Sequence, residues 1–259
     1  MKEKIVKILN LDSDQVLLDK KIPKVKFYNQ EDFNKGEEKI FTRDIDNIYL
    51  LSVLNEDTIN IHPYVTDECN YSELYFIYIE LRTKESYSKI TEAVHSILPN
   101  PVVLILVFGD KINISTATKR INKSDKTKQI IDEYNISNWI DAVNPDKDDK
   151  LFLEAVNIKN LTFENFYKLY VDFSNRVYMV GLVELLGAYI FSRKLDMAGI
   201  KKLFSKYQQL DIEINRLKSK EKETLNFGDK VAIHSATTGE EKKQNNIKNK
   251  ILEIINNAK

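Results

Sequence analysis

The chain has 259 residues, 42% hydrophobic and 30% charged, enough for one large domain or two modest ones with a real core. Lys plus Arg and Asp plus Glu both number 39, so no net field draws the protein to nucleic acid or a membrane, and any such contact must come from a local patch. The single cysteine, Cys69, excludes an internal disulfide framework and a cysteine-based zinc site, and a reducing cytoplasm is the expected setting.

Met1-Lys-Glu-Lys-Ile-Val has no apolar stretch of signal-peptide length. Ile5, Val6, Ile8 and Leu9 fit a strand or a short helix. Ile22, Val25 and Phe27 around Pro23 read as extended, because a residue before proline is biased away from helix. Phe41, Ile45, Ile48 and Tyr49 fall on one face at helical spacing and predict a helix over 41–54, with Thr42 able to cap its start. Ser72–Leu81 is nearly continuous in apolar, aromatic and β-branched residues, the mark of a strand covered on both faces. A helix over 85–98 follows, burying Ile90, Ala93, Val94 and Ile97 and ending at Pro99 and Pro101.

Pro101–Phe108 is the clearest strand, and Gly109-Asp110 predicts a two-residue hairpin turn. Ile112, Ile114, Thr116 and Thr118 alternate with smaller or polar residues, so the next strand is half-buried. Beyond a basic loop, Gln129–Trp139 alternates again. The expected class is α+β, a mainly antiparallel sheet with helices on one face. The polar stretch Asn144–Lys150 is read as a boundary, giving an α/β domain over 1–150 and a helical arm over 151–259.

In the arm, Phe163–Ser192 predicts one long apolar helix or two. Its most apolar run, Val177–Phe191, contains Glu184 and is shorter than the roughly 20 residues of a membrane span. Leu203, Tyr207, Leu210, Ile214 and Leu217 then repeat as the seam of a coiled coil. Asn226–Glu241, with two glycines and a Thr-Thr pair, reads as a loop. Asn246–Asn257 closes as a short helix carrying Ile247, Ile251, Ile254 and Ile255. An isolated seam helix is marginal in water and needs a partner. The Phe163–Ser192 helix, a second copy and another protein all qualify.

Five pieces in succession carry a family resemblance: Phe41-Thr-Arg-Asp-Ile-Asp-Asn-Ile-Tyr49, Thr58-Ile-Asn-Ile61, Ile97-Leu-Pro-Asn-Pro-Val-Val103, Ala117-Thr-Lys-Arg-Ile-Asn-Lys123 and Asn138-Trp-Ile-Asp141. Over roughly residues 20–220 the chain resembles the uncharacterised bacterial domain-of-unknown-function family 4391. The resemblance implies no catalytic residue. Members look like companions of helicase and DNA-methyltransferase genes in restriction or defence loci, which implies an accessory role. The family's tail looks like an uninterrupted charged coiled coil, whereas Phe227–Ala236 interrupts it here.

Lys119, Arg120, Lys123, Lys126 and Lys128, opposed only by Asp125, form the densest basic group, in the expected loop between two strands. Lys and Arg on a loop suit a phosphate backbone without reading its sequence; a solvated loop in a Lys-rich protein is the plainer reading. A metal-dependent nuclease needs an acid and then an acid-x-Lys pair. The nearest text is Glu80-Leu-Arg82-Thr-Lys84, with Glu73 or Asp44 as partner, and Arg82 is a poor substitute for the lysine. His62, His95 and His234 lie in separate segments with no metal-binding spacing, and Asp67 and Glu68 disfavour a thiolate at Cys69. The seven glycines form no phosphate-binding loop. The residues therefore point to no catalytic centre, metal or cofactor. Together with the resemblance, which implies the accessory role, they point to a non-enzymatic accessory protein, its partner held by the arm seam and nucleic acid by the basic loop. The alternatives are a nuclease with a degenerate site and a self-associating structural module.

Overall fold

A computed structural model describes residues 1–28, 34–126 and 128–258. They form two compact units, Met1–Tyr189 and Ile190–Lys259. The division therefore falls after Tyr189 and not at 150. The polar stretch at 144–150 lies inside the first unit because Asp146 caps a helix there, accepting from the Asp149 N–H at 2.8 Å.

The first unit opens with α1 (Lys2–Leu9), which buries Ile5, Val6 and Leu9. β1 (Leu17–Lys21) and the single turn α2 (Val25–Tyr28) follow. α3 (Lys35–Asp44) starts at a reciprocal cap, in which Asn34 accepts from the Glu37 N–H and Glu37 accepts from the Asn34 N–H. It stops at Asp44, and β2 (Ile45–Leu54) begins at once.

The helix expected over 41–54 is thus helix only to Asp44 and strand from Ile45 on, and Thr42 sits near the helix end instead of capping its start. Bulges in β2, between Ile45 and Asn47 and between Leu50 and Ser52, explain the misreading. Each adds a residue to the strand. Ile45 and Ile48, three apart, then reach the same buried cluster, as on a helix.

Asn55 caps the short α4 (Glu56–Ile59), and β3 (Tyr64–Val65) pairs with β4 (Asn70–Tyr71) as a small ribbon. β5 (Leu74–Leu81), α5 (Tyr87–Ile97) and β6 (Val102–Phe108) make a crossover, with β5 and β6 parallel. Gly109, at φ 60°, turns the chain into β7 (Lys111–Ile121), which pairs antiparallel with β6, with β8 (Gln129–Ile136) and with β9 (Ile140–Asp141). The main sheet runs β1-β2-β5-β6-β7-β8, antiparallel but for one pair. The α+β class expected from the sequence is the class observed.

Both faces of that sheet are covered. On one, Ile77, Ile79, Leu104 and Leu106 pack with Phe41 of α3 and with Ile90 and Val94 of α5. On the other lies α7 (Phe166–Val180), which follows α6 (Lys147–Ala155). The Phe173 ring meets Phe76 edge-on at 6.1 Å. The Tyr170 hydroxyl donates to the Val102 carbonyl at 2.7 Å and accepts from the Ala117 N–H at 2.9 Å. The helix assigned from sequence to the arm is a layer of the first unit. The turn α8 (Val183–Leu186) ends on Gly187, at φ 78°. Among the described residues no helix is long and apolar enough to cross a membrane.

The second unit is a pair of helices, α9 (Met197–Glu223) and α10 (Phe227–Asn257). They run antiparallel: Lys218 meets Glu241 at 2.7 Å, His234 meets Glu221 at 3.2 Å, and Gln244 donates to Asp211 at 3.2 Å. The loop expected over 226–241 is therefore helix. Asn226 caps it at the Asp229 N–H, and its partly buried positions Ile233, Thr237, Glu240, Gln244, Ile247 and Ile251 continue one stripe. Gly228 falls in the first turn, and the one interior glycine, Gly239, costs about 1 kcal/mol, which packing along a 31-residue helix offsets.

Candidate functional site

The five basic residues do not act together. β7 extends through Ile121, so Lys119 and Arg120 belong to a strand and point to opposite faces. Lys119 points inward and is 4% exposed. Its ammonium donates to the backbone carbonyls of Leu98 and, at 3.1 Å, Asn100, and burial pulls its pKa down to about 7. Arg120 is committed to Asp132 across β8 at 2.7 Å. Lys123, Lys126 and Lys128 remain exposed on the connecting turn. That turn is held by the Asn122 N–H on the Lys128 carbonyl and by the Asn122 side chain, which accepts from the Ser124 N–H at 2.9 Å.

The acid-x-Arg segment meets different partners from those expected. Asn47 stands opposite Glu80 on the neighbouring strand and donates to it at 2.7 Å, while Arg82 pairs with Asp46 at 3.0 Å. Asp44 is bound by Arg43, whose guanidinium holds its carboxyl below the usual range. Glu73, at the other end of β5, accepts from Tyr75 at 3.1 Å. Lys84 lies over the Trp139 ring, 4.5 Å from its centre. The fold thus brings Asp46 and Glu80 to one end of β2 and β5, each already paired; Asp44 adjoins that end with its carboxyl on Arg43, and Glu73 lies at the other end.

His62 is paired with Glu56 at 3.0 Å and His234 with Glu221, while His95 is buried under the sheet. Cys69 lies 3.5 Å from the Thr66 hydroxyl. Among the described residues no group of three His, Cys, Asp or Glu side chains could hold a metal ion.

On the arm, Ile214 is buried, and Leu203, Tyr207, Leu210 and Leu217 are half-buried along the α9–α10 pair. α10 is therefore the partner of the seam, in place of the Phe163–Ser192 helix. Ile212 on α9 is 71% exposed, and the most exposed apolar side chains of the pair lie at the tip of the hairpin. Leu225 is 97% exposed and Phe227 81%, with Val231 exposed one turn on. Sequence reading passed over these residues because it treated the segment as a loop. The available signal was two large apolar side chains in an otherwise polar Glu-Thr-Leu-Asn-Phe-Gly-Asp run.

Residues 14–238 match the model of a family described as Domain of unknown function (DUF4391). No curated protein and no solved structure matches the chain significantly.

Proposed function

The chain belongs to the DUF4391 family, and from that premise we propose that it is a non-enzymatic accessory protein of bacterial DNA-processing machinery. It docks on a protein of a restriction or defence, helicase or methyltransferase assembly through the tip of its arm. The exposure of Leu225 and Phe227 carries this reading. Neither side chain is buried in the arm, and burying each on a partner is worth about 1.5–3 kcal/mol, the size of a binding hot spot. The link to DNA processing rests on the family's neighbourhood, and a subsidiary contact with a phosphate backbone on Lys123, Lys126 and Lys128.

The test places a photo-crosslinking amino acid at Val231 in the native host and compares the wild-type tip with Leu225→Asp/Phe227→Asp. One defined adduct with a DNA-processing protein, lost in the double variant while light scattering still shows a monomer, is expected. An adduct unchanged by the variant, or one only with a second copy of the chain, sinks the proposal.

The adjacency of Asp46 and Glu80 supports a second reading, a nuclease with a degenerate metal site. Two carboxylates, each already paired, are fewer ligands than Mg²⁺ chemistry uses. Incubation with DNA and Mg²⁺ or Mn²⁺ decides it: cleavage by the wild type that disappears in Glu80→Ala would replace the first reading.

A further inference from the structure

Beneath the end of α5 the first unit forms a solvent-open cavity of about 240 Å³ against β7 and β8. Its polar lining is His95, Ser96, Lys119, Gln129 and Tyr134, and contains no carboxylate. Lys119 is nine-tenths or more buried and makes no ion pair among the described residues. An ammonium has three hydrogens. Two are taken by the carbonyls of Leu98 and Asn100 at the end of α5, which leaves one.

His95 supplies the second, independent observation. It is fully buried, its Nε2 lies 3.1 Å from the Ser115 hydroxyl, and its Nδ1 has no hydrogen-bond partner among the described residues. With the tautomer assigned so that Ser115 donates to Nε2, Nδ1 carries the proton and is a donor without an acceptor. The Tyr134 and Ser96 hydroxyls, 3.4 Å apart, stand on the exposed side of the cavity, and the Gln129 amide adds further N–H groups. The Lys119 ammonium, with no carboxylate in the lining, and His95, whose unpartnered ring nitrogen is a donor in this tautomer, both belong to the cavity lining. Both lacks are met by one kind of ligand.

We propose that this cavity binds a small oxyanion, a carboxylate or phosphate group, with Lys119 as its counter-ion. The volume equals roughly eight waters at about 30 Å³ each. That admits inorganic phosphate or the carboxylate end of an organic acid, and the open mouth leaves room for the rest of a molecule that carries such a group. Burial without a carboxylate neighbour is also what lowers the Lys119 pKa, and a bound anion would restore it.

The experiment uses the full chain labelled with ¹⁵N and follows the His95 ring nitrogens by NMR. It is titrated separately with sodium acetate and inorganic phosphate at constant ionic strength set by chloride. One saturable site that shifts the His95 signals is expected, and which probe saturates it identifies the oxyanion. Lys119→Met should weaken binding at least tenfold. Should that variant not fold, Gln129→Glu puts a carboxylate on the lining without touching the ammonium and should weaken binding as much. Failure of both probes to saturate, or unchanged affinity in Gln129→Glu, overturns the proposal.

Discussion

Arg176→Met tests how the first unit is held together. Arg176 and Asp172 lie one turn apart on α7 with side chains 6% and 8% exposed, and the Arg176 Nε donates to Asp172 at 3.0 Å. The guanidinium also donates to the carbonyls of Ala155 at 2.7 Å and Asn160 at 2.8 Å, which ties α6 and the turn after it to α7. Asp172 in turn accepts from the Thr162 N–H at 2.9 Å. Methionine keeps the length and apolar stem but removes every donor. It takes the guanidinium charge from the buried Asp172 carboxylate and one donor from each of the two carbonyls. Breaking a buried pair from one side costs about 3–5 kcal/mol. For a unit of this size that lowers the melting temperature by roughly 6–20 °C. The single tryptophan, Trp139, packs edge-on against Tyr87 inside this unit, so its fluorescence during urea unfolding reports the unit directly. Asp172→Asn combined with Arg176→Met should recover part of the loss, because the uncompensated charge is then gone. A loss below about 1 kcal/mol in the single variant, on the scale of an exposed pair, would refute the reasoning.

His95 has its pKa lowered from 6.5 to about 3 by burial and by the nearby Lys119. Below pH 6.5 the unfolded chain binds a proton that the folded chain does not, so this histidine makes stability fall as pH drops from 6.5 toward 3. The slope reaches about 1.4 kcal/mol per unit of pH. His95→Asn should flatten that part of the profile relative to wild type, measured by Trp139 fluorescence in urea at pH 4, 5 and 6; equal slopes would count against it. On the connecting turn, Lys123, Lys126 and Lys128 together changed to Glu should reduce the salt dependence of DNA retention by a slope of up to about three. An unchanged slope removes nucleic acid from the proposed function. Gly239 has nothing within 4 Å of where a Cβ would stand, so Gly239→Ala should stabilise α10 by about 1 kcal/mol. Hydrogen exchange near residue 239 should then slow about fivefold, and no change would mean that opening does not involve this turn.

The strands rich in β-branched residues were legible because their burial on both faces needs a continuous apolar run, which Leu74–Leu81 and Val102–Phe108 supply. β2 was not legible as a strand. Its bulges place buried residues three apart, and a three-residue spacing in text is a helical signal. Lys119 was half legible. Ser115, Ala117 and Lys119 share one parity along β7, so a reader who extended the strand one residue past Thr118 would have turned the lysine inward. The lysine-rich text after it argued for ending the strand early. α7 was legible as a helix but not as a layer of the first unit. A helix apolar nearly all round belongs between other elements, and its sequence does not say which.

α10 was lost for a reason that bears on function. Its inner stripe keeps Ile247 and Ile251 toward the C-terminal end, but near the hairpin tip it carries Thr237, Glu240 and Gln244. Polar groups there broke the apolar period that a reader looks for, and they also leave the distal half of the hairpin with less apolar contact to hold it. A segment with few buried apolar contacts opens at lower free energy than the body it extends from. The exposed Leu225 and Phe227 therefore sit on the softest part of the arm. A partner that covers them gains their burial and at the same time orders the turns behind them. The same two features, a polar stripe and an apolar tip, make the segment hard to read as helix and suit it to a contact completed by another protein.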